Sequence, residues 1–572
     1  MGKQKVIDKE RKRGDYALFT SKLAWVIVLV LIQLAFLLYA YLKFREQYIN
    51  IQAIMSFISI LVVIYIINRP INPAYKLAWC ITILFIPVFG GLFYLILSVN
   101  TTRRAFRKSV REAVKQSKTH LHQNEDVLTH IDNTNHYATP QARYIYNLAG
   151  YPIHENSSAS YFSSGEEMYL KMLEELEKAE KFIFLEYFII HEGIFWNSIL
   201  DILKKKAMSG VEVKIIYDDM GCIRTLPSDY PETLSQWGIE CYCFNPFLPT
   251  LSLRLNNRDH RKIMVIDGVT SFTGGVNLAD EYINQRKRLG GYWKDTGIMI
   301  KGDATWNFTV MFLQFWQHLS KEEVDYEKYN SHKISKKADH KASANNSKKS
   351  KHKTSTNESE KSIRKVSVNN SAKSGVKSSD IDSKAGQPFG DGFVQPYADN
   401  PLFSEVVAEN VYLNIINRAT NYVYITTPYL IVDQEMITAL TLAAQSGVDV
   451  RIITPRIPDK KAIFMVTRSF YEPLTKAGVK IYEFVPGFIH CKMMVADDEY
   501  AVVGSINLDY RSLYLHFECA AYMYHCKVIE AIKEDILDTI EQSEEMTYEY
   551  CLKLNKPYRL WLSLLRLYAP LM

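Results

Sequence analysis

The sequence predicts an α/β protein in which two similar lobes, each a mixed sheet flanked by helices, follow a group of N-terminal transmembrane helices. Three observations support this fold class: long apolar runs near the N-terminus, a strand–helix–strand order that occurs twice, and a His-x-Lys motif in each copy. A chain of 572 residues is long enough for several folded units. We therefore expect two lobes related by a pseudo-twofold axis, as after an internal duplication.

The N-terminal region carries a basic tail at residues 1–22 and then three apolar runs, at 23–42, 51–67 and 77–97. About 17–25 apolar residues suffice for a helix to cross a bilayer. We therefore expect residues 23–97 to be a transmembrane region and the chain to be a multi-pass protein of the cell membrane. With three spans the flanking Lys and Arg tie at nine on each side, so charge leaves open which side the lobes face.

The rest of the chain is predicted to form a juxtamembrane linker, a first lobe, a Lys/Ser/Asn-rich insertion and a second lobe, at 98–149, 150–330, 331–386 and 387–572. The insertion holds 14 Lys and Arg against 5 Asp and Glu, whereas the whole chain has a net charge of +6, so the basic character comes from this segment. Its composition is typical of a disordered segment. A contact of its charges with anionic lipid or nucleic acid is left open.

Each lobe shows the same order of elements, namely a buried strand, a helix that ends at Ser-Gly, and a second strand. The predicted elements are 181–190, 196–208 and 211–217 in the first lobe, and 421–430, 434–445 and 448–453 in the second. Units of this kind form parallel strand pairs with a crossover helix.

The lobes also share a motif, H-x-K-x4-D, followed at a matched distance by G-[GS]-x-N. Each residue of the second copy lies 230 positions after its counterpart. The motif residues are His260, Lys262, Asp267, Gly275 and Asn277 in the first lobe, and His490, Lys492, Asp497, Ser505 and Asn507 in the second. Two copies in register predict one site built from both lobes.

The residue types favour chemistry on a phosphodiester. His and Lys two positions apart on a strand point to the same face, so the lobes can present two imidazoles and two ammonium groups to one pocket. The lysines would neutralise charge in the transition state, while one histidine attacks phosphorus and the other protonates the leaving alkoxide. The motif Asn and Gly or Ser would approach phosphate oxygens. Lysines in the pocket oppose a cation, and the eight cysteines form no zinc pattern, so no metal is expected.

Four carboxylates are candidates for the same site. Asp295 and Glu518 follow the histidines of their lobes by 35 and 28 residues, and we expect each to bind the histidine of its own lobe and fix its tautomer. Asp267 and Asp497 are grouped with the catalytic residues as members of the motif. A structural role is the open alternative, because each lies where a strand ends in a turn.

His260 is predicted to be the nucleophile and His490 the general acid and base. The paired Gly274-Gly275 of the first lobe would let backbone amides approach a covalently held phosphoryl group. Glu518 would keep His490 protonated, because a carboxylate favours the charged form of an imidazole.

These residues resemble the phospholipase D superfamily, which is defined by two HKD motifs, and more closely the bacterial cardiolipin synthases. The likeness covers nearly the whole chain. The segments that carry it are Asn72–Trp79, Pro87–Gly91, Asn257–Lys262, Tyr292–Thr296, Arg468–Pro473 and Asn507–Ser512. The run at 23–42 and the insertion depart from the family pattern, and they bear on topology rather than on chemistry.

The resemblance implies phospholipase-D-like lobes that convert two phosphatidylglycerols into cardiolipin and glycerol through a phosphohistidine. It implies no cofactor and no metal, with phosphatidylglycerol and anionic membrane lipids as partners rather than nucleic acid. Rival hypotheses are a lipid-hydrolysing phospholipase D, a phosphatidylserine-synthase-like transferase, a membrane-tethered nuclease and a catalytically silent lipid-binding scaffold. Two intact motifs oppose the scaffold. The sequence leaves open the oligomeric state and the acyl-chain preference.

Overall fold

The computed structural model describes most of both lobes and part of the N-terminal region. The described residues are 35, 38–39, 42–43, 48–69, 71–85, 91, 94–95, 104–134, 136–246, 257–289, 291–331, 392–403 and 405–571. The predicted basic tail, most of the run at 23–42, part of the run at 77–97 and nearly all of the insertion lie outside them. Among the described residues, no helix is both long and apolar enough to cross a bilayer.

Two helices, α1 (Tyr48–Ile67) and α2 (Pro73–Phe85), precede the lobes and pack against each other. Asn72 fixes the start of α2, because its Oδ1 accepts the backbone N–H of Ala74 at 2.9 Å. The Nδ2 of Asn72 donates to Asp433 Oδ2 at 3.0 Å and to the Tyr514 hydroxyl at 3.1 Å. This residue therefore ties the N-terminal helices to the second lobe.

The expected juxtamembrane linker is folded from residue 104 onward. It forms α3 (Arg104–Ser117), α4 (Glu125–Thr134) and α5 (Ala138–Ala149). Apolar residues recur at helical spacing between the charges, so each helix buries one face in the main core, as Val110 and Ile131 do.

The first lobe is built on a seven-stranded sheet with the order β1-β8-β6-β5-β2-β3-β4. Its strands are β1 (Ser157–Phe162), β2 (Phe182–Tyr187), β3 (Glu212–Asp218), β4 (Ile239–Phe244), β5 (Lys262–Ile266), β6 (Thr270–Gly274) and β8 (Gly297–Gly302), while β7 (Tyr292–Lys294) pairs outside this sheet. Its helices are α6 (Gly165–Glu177), α7 (Ile194–Met208), α8 (Asp219–Cys222), α9 (Tyr230–Ser235) and α10 (Thr305–Ser320).

The second lobe repeats this order in an eight-stranded sheet, β9-β18-β16-β15-β10-β12-β13, with β19 added at the far edge. Its strands are β9 (Phe393–Asp399), β10 (Tyr422–Thr426), β11 (Leu430–Ile431), β12 (Asp449–Pro455), β13 (Lys480–Phe484), β14 (Gly487–Ile489), β15 (Met493–Ala496), β16 (Tyr500–Gly504), β17 (Leu508–Asp509), β18 (Glu518–Tyr524) and β19 (Ser543–Glu545). Its helices are α11 (Val407–Arg418), α12 (Gln434–Gln445), α13 (Lys461–Ser469), α14 (Tyr471–Lys476), α15 (Tyr510–Tyr514), α16 (Val528–Glu541), α17 (Tyr548–Lys553) and α18 (Lys556–Tyr568).

The predicted α/β fold class is confirmed, and so are the two strand–helix–strand units. β2 and β3 pair in parallel on either side of α7, and β10 and β12 do so on either side of α12. The short strand β7 pairs in parallel with β14 and so joins the lobes. One hydrophobic cluster includes Ile263 and Val265 of the first lobe, much of α10, and Val495 and Val502 of the second. The lobes therefore share a core.

The two motif aspartates hold strand ends together at equivalent turns. Each adopts a left-handed backbone conformation with φ of 53°. The carboxylate of Asp267 accepts backbone N–H groups of Glu180, Lys181 and Phe182 at 2.8, 2.7 and 2.9 Å. The carboxylate of Asp497 accepts those of Thr420, Asn421 and Tyr422 at 2.7, 2.9 and 2.8 Å. The structure thus places both at turns between strands, which corrects their grouping with the catalytic residues.

We predict that Asp267→Ala and Asp497→Ala each destabilise the protein by about 1–3 kcal/mol, because each leaves several backbone N–H groups without an acceptor. Asp→Asn at the same positions keeps one acceptor oxygen and tolerates the positive φ, so it should cost less. The measurement is the unfolding transition of the detergent-solubilised protein, with turnover assayed well below that transition. Lost turnover with an unchanged transition would return the aspartates to the catalytic set.

Candidate active site

Both motif histidines line one cavity of about 650 Å³ between the lobes. His260 is 8% exposed and His490 is 7% exposed, so substrate can reach either only through this cavity. Asn277 and Asn507 also line it. The structure therefore brings the two motif copies to one place, although the lysines, aspartates and small residues of the motif lie behind its wall.

The backbone of each lobe holds the histidine of the other. The N–H of His260 donates to the carbonyl of Phe517 at 2.9 Å, and the N–H of His490 donates to the carbonyl of Lys294 at 2.7 Å. These contacts are reciprocal, as expected for two copies that meet about a twofold axis. His260 therefore lies beside Glu518, the residue after Phe517. His490 lies beside Asp295, the residue after Lys294.

The carboxylates are exchanged between the lobes. Nδ1 of His260 lies 2.9 Å from Oε1 of Glu518, and Nδ1 of His490 lies 2.6 Å from Oδ2 of Asp295. The expected pairing within each lobe was therefore wrong, because strand pairing across the interface places each carboxylate opposite the other lobe's histidine. The predicted kind of contact is present. A proton on Nδ1 held by the carboxylate leaves Nε2 as the nitrogen available to substrate.

The two motif lysines are buried behind the histidines. Lys262 is 0% and Lys492 is 1% exposed, and each Nζ donates to the backbone carbonyl of the histidine two residues before it. Burial lowers the pKa of each lysine to about 8. The sequence predicted that both lysines line the cavity, but neither does. They act on the cavity through their charge.

Burial also makes the histidines hard to protonate. It holds the pKa of His260 well below its usual range, and the positive charge of Lys262 adds to the effect. Burial and Lys492 lower the pKa of His490 to about 4, against an opposing contribution from Asp295. The same burial raises the pKa of Glu518 well above its usual range. Both shifts favour the neutral imidazole, which runs against the expectation that His490 starts protonated.

The small motif residues make room for the carboxylates rather than for phosphate. A Cβ on Gly275 would lie 2.0 Å from Oδ1 of Asp295, and a Cβ on Gly274 would lie 2.5 Å from the carbonyl oxygen of Thr296. At the equivalent position of the second lobe, the Ser505 hydroxyl donates to Oε2 of Glu518 at 2.5 Å. The predicted approach of Gly275 and Ser505 to a phosphoryl group is corrected accordingly.

The motif asparagines have structural partners as well as a place at the cavity. Asn277 accepts the N–H of Ile189 at 3.0 Å and donates to the Tyr282 hydroxyl at 2.8 Å. Asn507 donates to the Ser512 hydroxyl at 3.0 Å, and its buried Oδ1 has no hydrogen-bond partner among the described residues. Asn507 is thus better placed than Asn277 to accept a hydrogen bond from a ligand.

A third histidine, His516, lines the cavity beside His260, with ring centroids 5.6 Å apart. Neither of its ring nitrogens has a hydrogen-bond partner among the described residues. Trp293 takes the equivalent place beside His490, with centroids 5.4 Å apart. The sequence signal that could have identified His516 and Trp293 is their position two residues before Glu518 and Asp295, respectively.

His260, His516 and Glu518 form a cluster whose possible metal-ligand atoms lie within 4.8 Å of one another. The donor set does not suit a divalent cation. Lys262 adds positive charge next to it, which opposes a cation. The surroundings of these residues favour an anionic ligand.

Comparison with known proteins identifies the family. The family model described as "Cardiolipin synthase, PLD-like domain" matches residues 172–306 and 412–539, and that described as "Phospholipase_D-nuclease N-terminal" matches 57–98. A solved structure of phosphatidylserine synthase from Haemophilus influenzae superposes with a TM-score of 0.51 at 16% identity, covering 76% of this chain and 100% of the other, and supports the fold alone.

Two curated relatives align over almost their whole length. An uncharacterized protein of Streptococcus mutans is 40% identical, covering 89% of this chain and 99% of the relative. A cardiolipin synthase of Alkalihalophilus pseudofirmus is 32% identical, covering 91% of this chain and 92% of the relative. The chain therefore belongs to the cardiolipin synthase family of the phospholipase D superfamily.

Proposed function

We propose that this protein is a cardiolipin synthase that transfers a phosphatidyl group from one phosphatidylglycerol to another, through a phosphohistidine. The observation that carries the proposal is the pair of buried histidines in one cavity, each with Nδ1 on a carboxylate. A single such histidine could act only as nucleophile or as proton carrier. Two of them, with two lysines behind them, fit an in-line displacement at phosphorus.

In the first step Nε2 of His260 bonds to phosphorus, and the bond from phosphorus to the glycerol oxygen breaks. His490 gives its proton to that oxygen. The negative charge of a bound phosphodiester raises the pKa of a nearby imidazole, so substrate binding itself favours the protonated form of His490. The buried charges of Lys262 and Lys492 stabilise the negative charge on the phosphoryl oxygens.

In the second step the acceptor's terminal hydroxyl gives its proton to His490, its oxygen bonds to phosphorus, and the bond from phosphorus to His260 breaks. The free energy of the first ester is kept in the second, so no nucleotide is required. The assignment of roles rests on charge. Oδ2 of Asp295 lies 2.6 Å from Nδ1 of His490, whereas Glu518 lies 2.9 Å from Nδ1 of His260 and also accepts the Ser505 hydroxyl, so His490 has the stronger carboxylate contact and is the easier to protonate.

We infer that the N-terminal region moors the lobes at the membrane as a multi-pass anchor. α1 exposes large apolar side chains such as Phe57 and Ile64. α18 packs against α2 and exposes Leu560 and Trp561 beside it. The turn that follows α18 reaches the cavity at Ala569, so this face connects lipid with the active site.

We also propose that the lobes are catalytic units bounded near 150–330 and 387–572, with the insertion as a linker between them.

We predict that detergent-solubilised protein converts phosphatidylglycerol into cardiolipin and free glycerol without nucleotide or added metal. Mass spectrometry of the lipid products is the measurement. Phosphatidic acid as the dominant product would make the protein a hydrolase, and phosphatidylserine formed only with added serine would make it a phosphatidylserine synthase.

We predict that a labelled phosphatidyl group can be trapped on His260. His490→Ala should still form an adduct with a donor whose leaving group needs no proton, while His260→Ala should form none. The quench must denature the protein at alkaline pH, because a phosphorus–nitrogen bond to imidazole is labile in acid. A label that maps to a peptide containing His490 would reverse the two roles.

We predict that kcat, which reports the enzyme–substrate complex, falls as the pH rises above about 8, because Lys262 and Lys492, each with a pKa of about 8, lose their charges there. Below that pH both are charged and their stabilisation of the transition state is complete. Lys492→Met should lower the rate by about 10²-fold and weaken the pH dependence. A wild-type rate that stays level to about pH 10, the ordinary range of lysine, would show that these charges are not required.

A further inference from the structure

The proposed reaction, on which the following rests, must accommodate a second phosphate. In the second step the attacking hydroxyl belongs to a glycerol that already carries its own phosphodiester. This phosphate stays one glycerol unit away from the reacting phosphorus and keeps a full negative charge. The two histidines and the buried charges of the two lysines serve the first phosphate, so the second needs a cation of its own.

An additional repeat supplies one arginine per lobe at the cavity. Arg288, Trp293 and Asp295 recur in the second lobe as Arg511, His516 and Glu518, with the same spacing, R-x4-[WH]-x-[DE]. Both arginines and both aromatic residues line the cavity. The arginines therefore occupy the same place in the two copies of this spacing, and both lie at the cavity.

Because the carboxylates are exchanged between the lobes, each arginine belongs to the side of the other lobe's histidine. The segment that carries Glu518 runs past His260, so Arg511 belongs to the nucleophile's side. The segment that carries Asp295 runs past His490, so Arg288 belongs to the side of the leaving group and of the acceptor.

The position of Arg288 relative to His490 is set by Trp293. Its guanidinium carbon lies 5.5 Å from the centre of the Trp293 ring, and that ring lies 5.4 Å from the ring of His490. Arg288 is thus one aromatic ring beyond the general acid. Its Nη1 donates to Oε1 of Glu281 at 2.9 Å, and its side chain is 48% exposed.

The contact with Glu281 orients the guanidinium of Arg288 and leaves some of its N–H donors available. A half-exposed ion pair adds little stability. A guanidinium has five N–H donors in a planar fork, so a bond from one nitrogen leaves donors for a phosphodiester. The aromatic face of Trp293 holds the plane in place.

We propose that Arg288 is an acceptor subsite, which binds the phosphodiester of the second phosphatidylglycerol and sets its terminal hydroxyl against His490. The chemistry is that of the proposed second step, in which the proton goes to His490 and the phosphorus–nitrogen bond breaks. The subsite favours an anionic lipid as acceptor over water or a small alcohol.

Two assays on the full chain in detergent separate this subsite from the chemistry. Cardiolipin formation needs an acceptor that carries a phosphate. Exchange of labelled glycerol into phosphatidylglycerol uses the same histidines, but its acceptor is glycerol and carries none. In Arg288→Gln, we expect the ratio of cardiolipin formation to glycerol exchange to fall about 10- to 100-fold, as for a lost charge-assisted hydrogen bond. Arg288→Lys should restore part of the ratio.

The matched control is Arg286→Gln, since Arg286 is a nearby arginine that contacts His191 and does not line the cavity. It should leave the ratio and both rates unchanged. Both rates falling together in Arg288→Gln, neither rate falling, or a selective loss in Arg511→Gln instead, would each overturn the subsite. Wild-type protein that exchanges glycerol and makes no cardiolipin would refute the proposed function, and the subsite with it.

Discussion

Each histidine of the cavity depends on the other lobe for its hydrogen-bond partner. The backbone bonds from His260 to Phe517 and from His490 to Lys294 pair strand ends across the interface. The next residue along each partner segment is the carboxylate that holds Nδ1. One interface therefore sets the spacing of the two imidazoles, their tautomers and their exclusion from solvent. Neither motif histidine takes its carboxylate from its own lobe.

The two lobes differ in the residues around their motif histidines. The first lobe surrounds its motif with buried charge, since Arg261 contacts Glu186 and lies 3.0 Å from Asp259. The second lobe has the apolar Cys491 at the position of Arg261. A duplicated pair with identical surroundings would titrate alike, whereas an acid and a nucleophile need different pKa values. The unequal surroundings of the two motifs are therefore compatible with the different roles proposed for their histidines.

The sequence was sufficient for the fold class and for the gathering of His260 and His490, because periodicity and a repeated motif report on local structure and on duplication. It was insufficient for the partners of those histidines. Both Asp295 and Glu518 were chosen correctly as contacts, but which histidine each binds depends on how strands of different lobes pair, and spacing along the chain does not encode that. The sequence also left the role of Asp267 open, for a related reason. A residue five positions after a lysine can face the pocket or the turn, and only the bend of the strand decides.

The burial that disfavours protonation of the histidines also favours transfer of the phosphatidyl group to a lipid over its hydrolysis by water. Water and a lipid hydroxyl are similar nucleophiles, and water is far more abundant outside the cavity. His260 and His490 are less than a tenth exposed, so a phosphoryl group held between them is reached only through the cavity. Desolvation lowers the pKa of both imidazoles, and it strengthens the pull of the buried lysines on the phosphoryl oxygens. The leaving glycerol and the acceptor's glycerol are the same chemical group at the same place, so a site shaped for departure of one is already shaped for attack by the other.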